Sequence, residues 1–273
     1  MTTVGVFDSG VGGLSVLRAL RAELPQVHFV YLADNAHAPY GERSAEVVIE
    51  RAQRITEQLR TDHQIQALVV ACNTATAIAI DHLRKTHPDL PFIGVEPALK
   101  PAAILTRCGH IGVLATRGTV QSARFAQLLG AVTAASDRPL HIRCQPCDGL
   151  ADAIERADDK AVLERATHHL AQLYKQNPNQ PAIDTLVLGC THYPFARETL
   201  QLLCGADVVL MDTGEPVARR TREVLKLPAF QCEVSPTRLT LLSTGEPKVL
   251  QDAAARWLGL GVGMGPPIRA GVS

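Results

Sequence analysis

The sequence predicts an α/β protein built as two similar domains, each a mainly parallel sheet flanked by helices. Three observations predict it. Short apolar runs alternate with longer helical patterns and short loops along most of the chain, which is the signature of parallel strands joined by helices. Nine candidate strands are too many for one sheet in 273 residues. The pattern also echoes itself: Val4-Gly5-Val6-Phe7-Asp8-Ser9 leads into a helix, and so does Ile111-Gly112-Val113-Leu114-Ala115-Thr116 about one hundred residues later.

In chain order, the apolar run at 4–7 is the first strand, and a helix follows at 14–23 after a glycine-rich turn. A strand at 28–32 precedes a polar loop and a long helix at 45–62. The run Ala67-Leu68-Val69-Val70-Ala71 is a buried strand ending at Cys72, with a helix at 75–86. A strand at 92–95 closes the first set. Helix 98–107, strand 111–115, helix 119–129 and strand 140–144 come next. Helices at 148–156 and 161–176 precede the run Thr185-Leu186-Val187-Leu188-Gly189, which ends at Cys190. Helix 195–203, strand 208–212, helix 216–225, strand 239–243 and helix 247–258 complete the series. Glu96-Pro97 ends a strand and marks a boundary; the chain is expected to return to the first domain near Asp212-Thr213-Gly214. The first domain is thus 1–96 plus 212–258 and the second 97–211. The tail 259–273, with five glycines and two prolines, is expected to be poorly ordered.

Composition narrows the function classes. A hydrophobic fraction of 46% and a charged fraction of 20% are those of an ordinary globular protein. Twenty-seven basic residues balance 27 acidic ones, and no Lys/Arg block suggests a nucleic-acid partner. No apolar stretch approaches the roughly 18 residues needed to span a bilayer, and a strand begins at the N-terminus where a signal peptide would lie. Seven scattered cysteines do not form a disulfide framework. Reduced thiols in cytoplasm are the expectation. The partner is expected to be a small molecule, with a homodimer left open.

Cys72 and Cys190 carry the strongest chemical signal. Each sits at the carboxyl end of a buried strand, before small polar residues and a helix, 118 residues apart. In open α/β sheets that edge binds ligands. One free cysteine is commonly a small buried hydrophobe; two at matching strand ends, each beside hydroxyl or amide groups, point to a pair working on one substrate. A free thiol has a pKa of about 8.5, and a helix N-terminus contributes roughly 0.3–1 kcal/mol, less than one pKa unit. Each thiol therefore needs a polar partner to move its proton. His192 is the candidate for Cys190 and Asp8 for Cys72. The turn Asp8-Ser9-Gly10-Val11-Gly12-Gly13 is either a tight strand-to-helix turn or an anion site; it lacks the Gly-Lys-Ser/Thr ending of a phosphate loop. Pro39-Tyr40-Gly41 is a turn or a binding loop. Cys144 and Cys147 have metal-type spacing but no second Cys/His pair at finger spacing; a redox role for them stays open.

Together the segments Phe7-Asp8-Ser9-Gly10-Val11-Gly12-Gly13, Pro39-Tyr40-Gly41, Ala71-Cys72-Asn73-Thr74-Ala75, Ala115-Thr116-Arg117-Gly118-Thr119 and Gly189-Cys190-Thr191-His192-Tyr193-Pro194 resemble the motifs of the bacterial glutamate racemases, in that family's order. The resemblance covers residues 4 to about 225. It implies a cofactor-independent isomerase of two α/β domains with the active site in the cleft between them; the residues themselves show no metal site. Such an enzyme interconverts L- and D-glutamate and supplies D-glutamate for peptidoglycan. It implies Cys72 and Cys190 as the two acid–base thiols, with Asp8 and His192 assisting. Asn73, Thr74, Thr116, Thr119 and Thr191 would hold the amino and α-carboxylate groups; Ser9, Pro39, Tyr40 and Gly41 would hold the side-chain carboxylate. The family's further assisting glutamate is matched to Asp152, a departure that puts a shorter carboxylate at that place. A racemase of aspartate or another amino acid, and a non-catalytic anion-binding protein on the same fold, are the alternatives.

Overall fold

The computed structural model describes residues 2–175, 182–228 and 238–260, and the backbone of Arg269–Ala270. The chain divides into two compact units, Met1–Val95 with Gly214–Ser273, and Glu96–Thr213.

The first unit contains strands β1 (Thr3–Asp8), β2 (His28–Ala33), β3 (Ala67–Val70) and β4 (Phe92–Gly94), with helices α1 (Leu14–Glu23), α2 (Ala45–His63) and α3 (Asn73–Thr86) between them. The second unit contains α4 (Leu99–Leu105), β5 (His110–Ala115), α5 (Arg117–Val120), α6 (Ala123–Ala134) and β6 (His141–Pro146). It continues through α7 (Leu150–Glu155), α8 (Asp159–Lys175), β7 (Thr185–Gly189), α9 (Arg197–Cys204) and β8 (Val209–Met211). The chain then re-enters the first unit with α10 (Gly214–Val224), β9 (Leu239–Ser243), α11 (Pro247–Leu258) and β10 (Arg269–Ala270).

Both sheets are parallel in every pairing, with orders β10-β9-β2-β1-β3-β4 and β6-β5-β7-β8. The sequence echo has a topological counterpart. The run β2-β1-β3-β4 in the first sheet and β6-β5-β7-β8 in the second follow one scheme: the second strand lies on one side of the first, and the third crosses to the other. The crossover reverses between β1 and β3, and again between β5 and β7. In open α/β sheets such switch points, at the carboxyl ends of the strands, are where ligands bind.

The strands read as continuous apolar runs because helices cover both faces of the sheet. β3 and β5 are buried along their whole length. Val48, Ala52, Ile55 and Leu59 of α2 and Ala75, Ala79, Ile80 and Leu83 of α3 pack with Leu68 and Val70 in the core of the first unit. These helical residues recur at three- and four-residue spacing, one stripe of each helix. In the second unit Leu99 and Ala102 of α4 and Phe125, Leu128 and Val132 of α6 pack on Ile111, Val113 and Val187.

Two expectations change. The helix expected over 119–129 is two helices, because Ser122 leaves helical conformation and caps α6, its hydroxyl accepting from the Phe125 N–H at 3.1 Å. The polar loop after β2 carries two short 3₁₀ turns, Asn35–His37 and Tyr40–Glu42. Of the tail at 259–273, Arg269–Ala270 pair with β9 as a short edge strand and most of the rest lies outside the described residues. Among the described residues no helix is long and apolar enough to cross a membrane.

Ser122→Ala is expected to destabilise the protein by about 1 kcal/mol and Ser122→Gly by only a few tenths, compared by urea unfolding midpoints. Equal losses for the two would show that the hydroxyl is not the cap.

Candidate active site

In the first unit β1 delivers Asp8 to the carboxyl edge of the sheet, fully buried. Its Oδ2 accepts the Gly13 N–H at 2.6 Å, where α1 begins. Gly13 is required there. A Cβ at that position would stand 2.6 Å from the Asp8 Cβ and 2.9 Å from the Tyr31 hydroxyl. Tyr31 in turn donates to the Gly10 carbonyl at 2.8 Å, bracing the turn from below. The carboxylate is thus seated against a helix N-terminus, where backbone N–H groups favour negative charge.

β3 delivers Cys72 to the neighbouring strand end. Cys72 is itself the N-cap of α3: its sulfur accepts the Ala75 N–H at 3.4 Å and lies 3.7 Å from the Ser9 hydroxyl. Asn73 and Thr74 open the helix and are buried. The Asn73 amide donates to the Val95 carbonyl at 3.5 Å, while its Oδ1, buried, has no partner among the described residues. That oxygen is an acceptor awaiting a donor. Pro39 and Gly41 are half-buried, and Tyr40 is wholly buried with its hydroxyl donating to Asp34 at 2.6 Å.

In the second unit β7 delivers Cys190. Its Sγ lies 3.7 Å from His192 Nδ1, and His192 Nε2 meets the Glu155 carboxylate. The histidine is buried and linked on both sides. Burial opposes its protonation, but hydrogen bonds to Cys190 and Glu155 and the charge of Glu155 outweigh it, holding the imidazole pKa well above its ordinary value. Thr191 is buried beside them. At the adjacent strand end Thr116 caps α5, accepting the Thr119 N–H at 3.3 Å and sharing a 2.9 Å hydrogen bond with the Thr119 hydroxyl. Asp8, Ser9, Tyr40, Cys72, Asn73 and Thr74 therefore gather in one unit, and Thr116, Thr119, Cys190, Thr191 and His192 in the other.

The carboxylate that meets His192 is that of Glu155, not of Asp152. Asp152 lies in α7, but Arg156 four residues on takes its carboxylate. Glu155, one turn along the same helix, reaches the imidazole. Its longer stem explains the reach. Gly149 starts this helix at φ +75°, a conformation that suits glycine. Cys144 lies within β6, and Cys147 just beyond it is buried with its thiol pushed up, chiefly by that burial. Burial likewise raises Cys144 to about 11. Neither environment favours a thiolate ligand. Among the described residues no three His, Cys, Asp or Glu side chains gather as a metal site.

Residues 13–221 match the Asp/Glu/Hydantoin racemase family. The chain belongs to this racemase family. Among its relatives, the glutamate racemase of Pseudomonas paraeruginosa is 51% identical over 232 residues, covering 83% of each chain. That of Ralstonia nicotianae is 45% identical over 258 residues, 94% of this chain and 89% of its own. Among solved structures, glutamate racemase isoform RacE1 of Bacillus anthracis superposes with a TM-score of 0.84 at 31% identity, covering 99% of this chain and 97% of that one. The Escherichia coli glutamate racemase, solved with L-glutamate and the activator UDP-MurNAc-ala, superposes at 0.78 with 33% identity and covers 93% of this chain and 94% of its own. Membership makes the protein an isomerase, and the superpositions carry its two-domain α/β fold.

A raised histidine pKa has a definite sign in this racemase. Protonation of His192 contributes stability that is fully present below the unfolded value of about 6.5, and is lost as pH rises through the raised folded value. Glu155→Gln removes a carboxylate that holds the proton, so the His192 imidazole, followed by NMR, is expected to titrate at lower pH than in the wild type. An unmoved titration would show that Glu155 does not hold the charge.

Proposed function

We propose that the protein interconverts L- and D-glutamate by proton transfer at the α-carbon between two thiols, Cys72 and Cys190, without a cofactor. The observation that carries this reading is the equivalence of the two cysteines. Each follows the third strand of the same four-strand scheme, one per unit, and each has its own polar partners. The substrate follows from the relatives, which are glutamate racemases, including the Escherichia coli enzyme solved with L-glutamate.

Inverting a stereocentre by proton transfer needs a base on one face and an acid on the other. Cys72 as thiolate takes the α-proton of D-glutamate and becomes a thiol; Cys190 gives its thiol proton to the opposite face and becomes a thiolate. The enzyme is then set for the reverse direction, in which Cys190 takes the proton of L-glutamate. Two residues of one kind suit this exchange of roles. His192, held protonated by Glu155, stabilises the Cys190 thiolate and returns a proton to it. Asp8 serves as a proton acceptor on the Cys72 side, since its negative charge would not itself favour a thiolate.

The transition state places charge on the α-carbon and α-carboxylate. The helix starts at Asn73 and Arg117, with the hydroxyls of Thr74, Thr116, Thr119 and Thr191, supply fixed donors for that carboxylate. The unpartnered Asn73 Oδ1 accepts from the substrate ammonium. Ser9 and the backbone of 39–41 take the side-chain carboxylate, the Tyr40 phenol being committed to Asp34. The product D-glutamate serves peptidoglycan synthesis in the cytoplasm.

Purified wild type is expected to racemise L- and D-glutamate without added cofactor, read by circular dichroism, and in deuterated water to label the α-position of product ahead of remaining substrate. Cys72→Ala and Cys190→Ala should each lose at least about 10²-fold in kcat. Near-full racemisation by either variant would sink the two-thiol assignment.

A further inference from the structure

Asp34 follows β2 and is a fully buried carboxylate outside the acid–base apparatus. Four side chains converge on it. Arg51 of α2 donates from Nη2 to Oδ1 at 2.8 Å and from Nε to Oδ2 at 3.0 Å. The Tyr40 hydroxyl donates to Oδ2 at 2.6 Å, the Thr244 hydroxyl to Oδ1 at 2.7 Å, and His37 Nδ1 lies 3.1 Å from Oδ1. Burial pushes the Asp34 carboxyl up, but the hydrogen bonds from Arg51, Tyr40 and Thr244 and the Arg51 charge outweigh it and hold the group below the usual carboxylate range. Desolvation offsets much of the attraction in such a pair, so its contribution to stability is modest. Its bidentate geometry fixes direction.

What it directs is the 39–41 loop. The Tyr40 ring lies in the same core cluster as Cys72 and Ala75, and its hydroxyl ends on Asp34, so this residue is pinned at both ends. A second strap comes from the far end of the sequence. Thr244, just after β9, donates to Asp34 and accepts the Ala36 N–H at 3.2 Å. The segment from Ala36 to Tyr40 is thereby clamped between α2 and the end of β9. With the phenol turned inward, backbone is left to meet a ligand.

We propose that Asp34 and Arg51 are positioning residues that set the place of the Pro39-Tyr40-Gly41 loop against the side-chain carboxylate of glutamate, with Thr244 as the second strap. This rests on the racemase reading above. The side-chain carboxylate is remote from the reacting carbon, so its binding is shared by ground state and transition state. Weakening it raises KM and spares kcat.

The test is steady-state kinetics on wild type, Arg51→Met, Arg51→Lys and Thr244→Val, with thermal unfolding measured alongside. Arg51→Met is expected to raise KM for both enantiomers about tenfold with kcat changed less than about threefold, the pattern of lost uniform binding. Arg51→Lys keeps the charge without the fork and should fall between. Thr244→Val, which keeps the ion pair, should raise KM about threefold in the same manner. Should Arg51→Met not fold, Arg51→Lys and Thr244→Val carry the test. Folded variants with KM within about twofold of wild type, or with kcat reduced at unchanged KM, overturn the assignment. Absence of glutamate turnover by the wild type overturns the functional reading and this assignment with it; turnover by the wild type with unaltered KM in the variants overturns this assignment alone.

Discussion

Parallel pairing of β1 with β3, and of β5 with β7, is the constraint on which the site depends. A parallel strand pair cannot be closed by a tight turn; the chain must cross over through a helix and return. When successive crossovers go to opposite sides of the first strand, two neighbouring strands finish side by side with their following loops diverging. That arrangement puts Ser9 beside Cys72 in one sheet and Thr116 beside Cys190 in the other. Residues 63 and 74 positions apart in sequence become neighbours through backbone hydrogen bonds alone. Side-chain chemistry is added only at the ends.

The two sulfurs stand in different surroundings. Cys190 has a titratable partner backed by a carboxylate, a chain of three groups from thiol to Glu155. Cys72 has a helix start and a hydroxyl, with Asp8 on the adjacent strand held by a backbone N–H. The sulfur of the first unit thus meets neutral donors, where that of the second faces a charged imidazole. The pseudo-repeat in strand order therefore does not extend to electrostatics.

Most of the fold was legible because a parallel strand buried on both faces is a short run of apolar residues, and such runs stand out at 67–70 and 185–189. Cys72 and Cys190 were legible as strand-end residues for the same reason. The break at Ser122 was less so, since an apolar stripe continues on both sides and a serine is common within helices as well as at their starts. Glu155 was missed because periodicity puts residues 152 and 155 on overlapping faces of one short helix; the longer stem of Glu155 and the Arg156 partner of Asp152 separate them. The Asp34 cluster was invisible for another reason. Its members are spread from residue 34 to residue 244, and no local pattern links a threonine after the ninth strand to an arginine in the second helix.

Cys72 holds the N-cap of α3 with its sulfur. A cap is ordinarily a permanent fixture, a serine or aspartate whose charge does not change. Here the capping atom is the one that gains and loses a proton in the proposed reaction. Hydrogen bonds to an ionised acceptor are roughly twice as strong as those to a neutral one, so the first turn of α3 would be gripped more firmly in one half of the cycle than in the other. Asn73 and Thr74 sit in that turn. The protonation state of the enzyme would thus be written into the tightness of its own scaffold, and the helix end would report which enantiomer the protein is ready to receive.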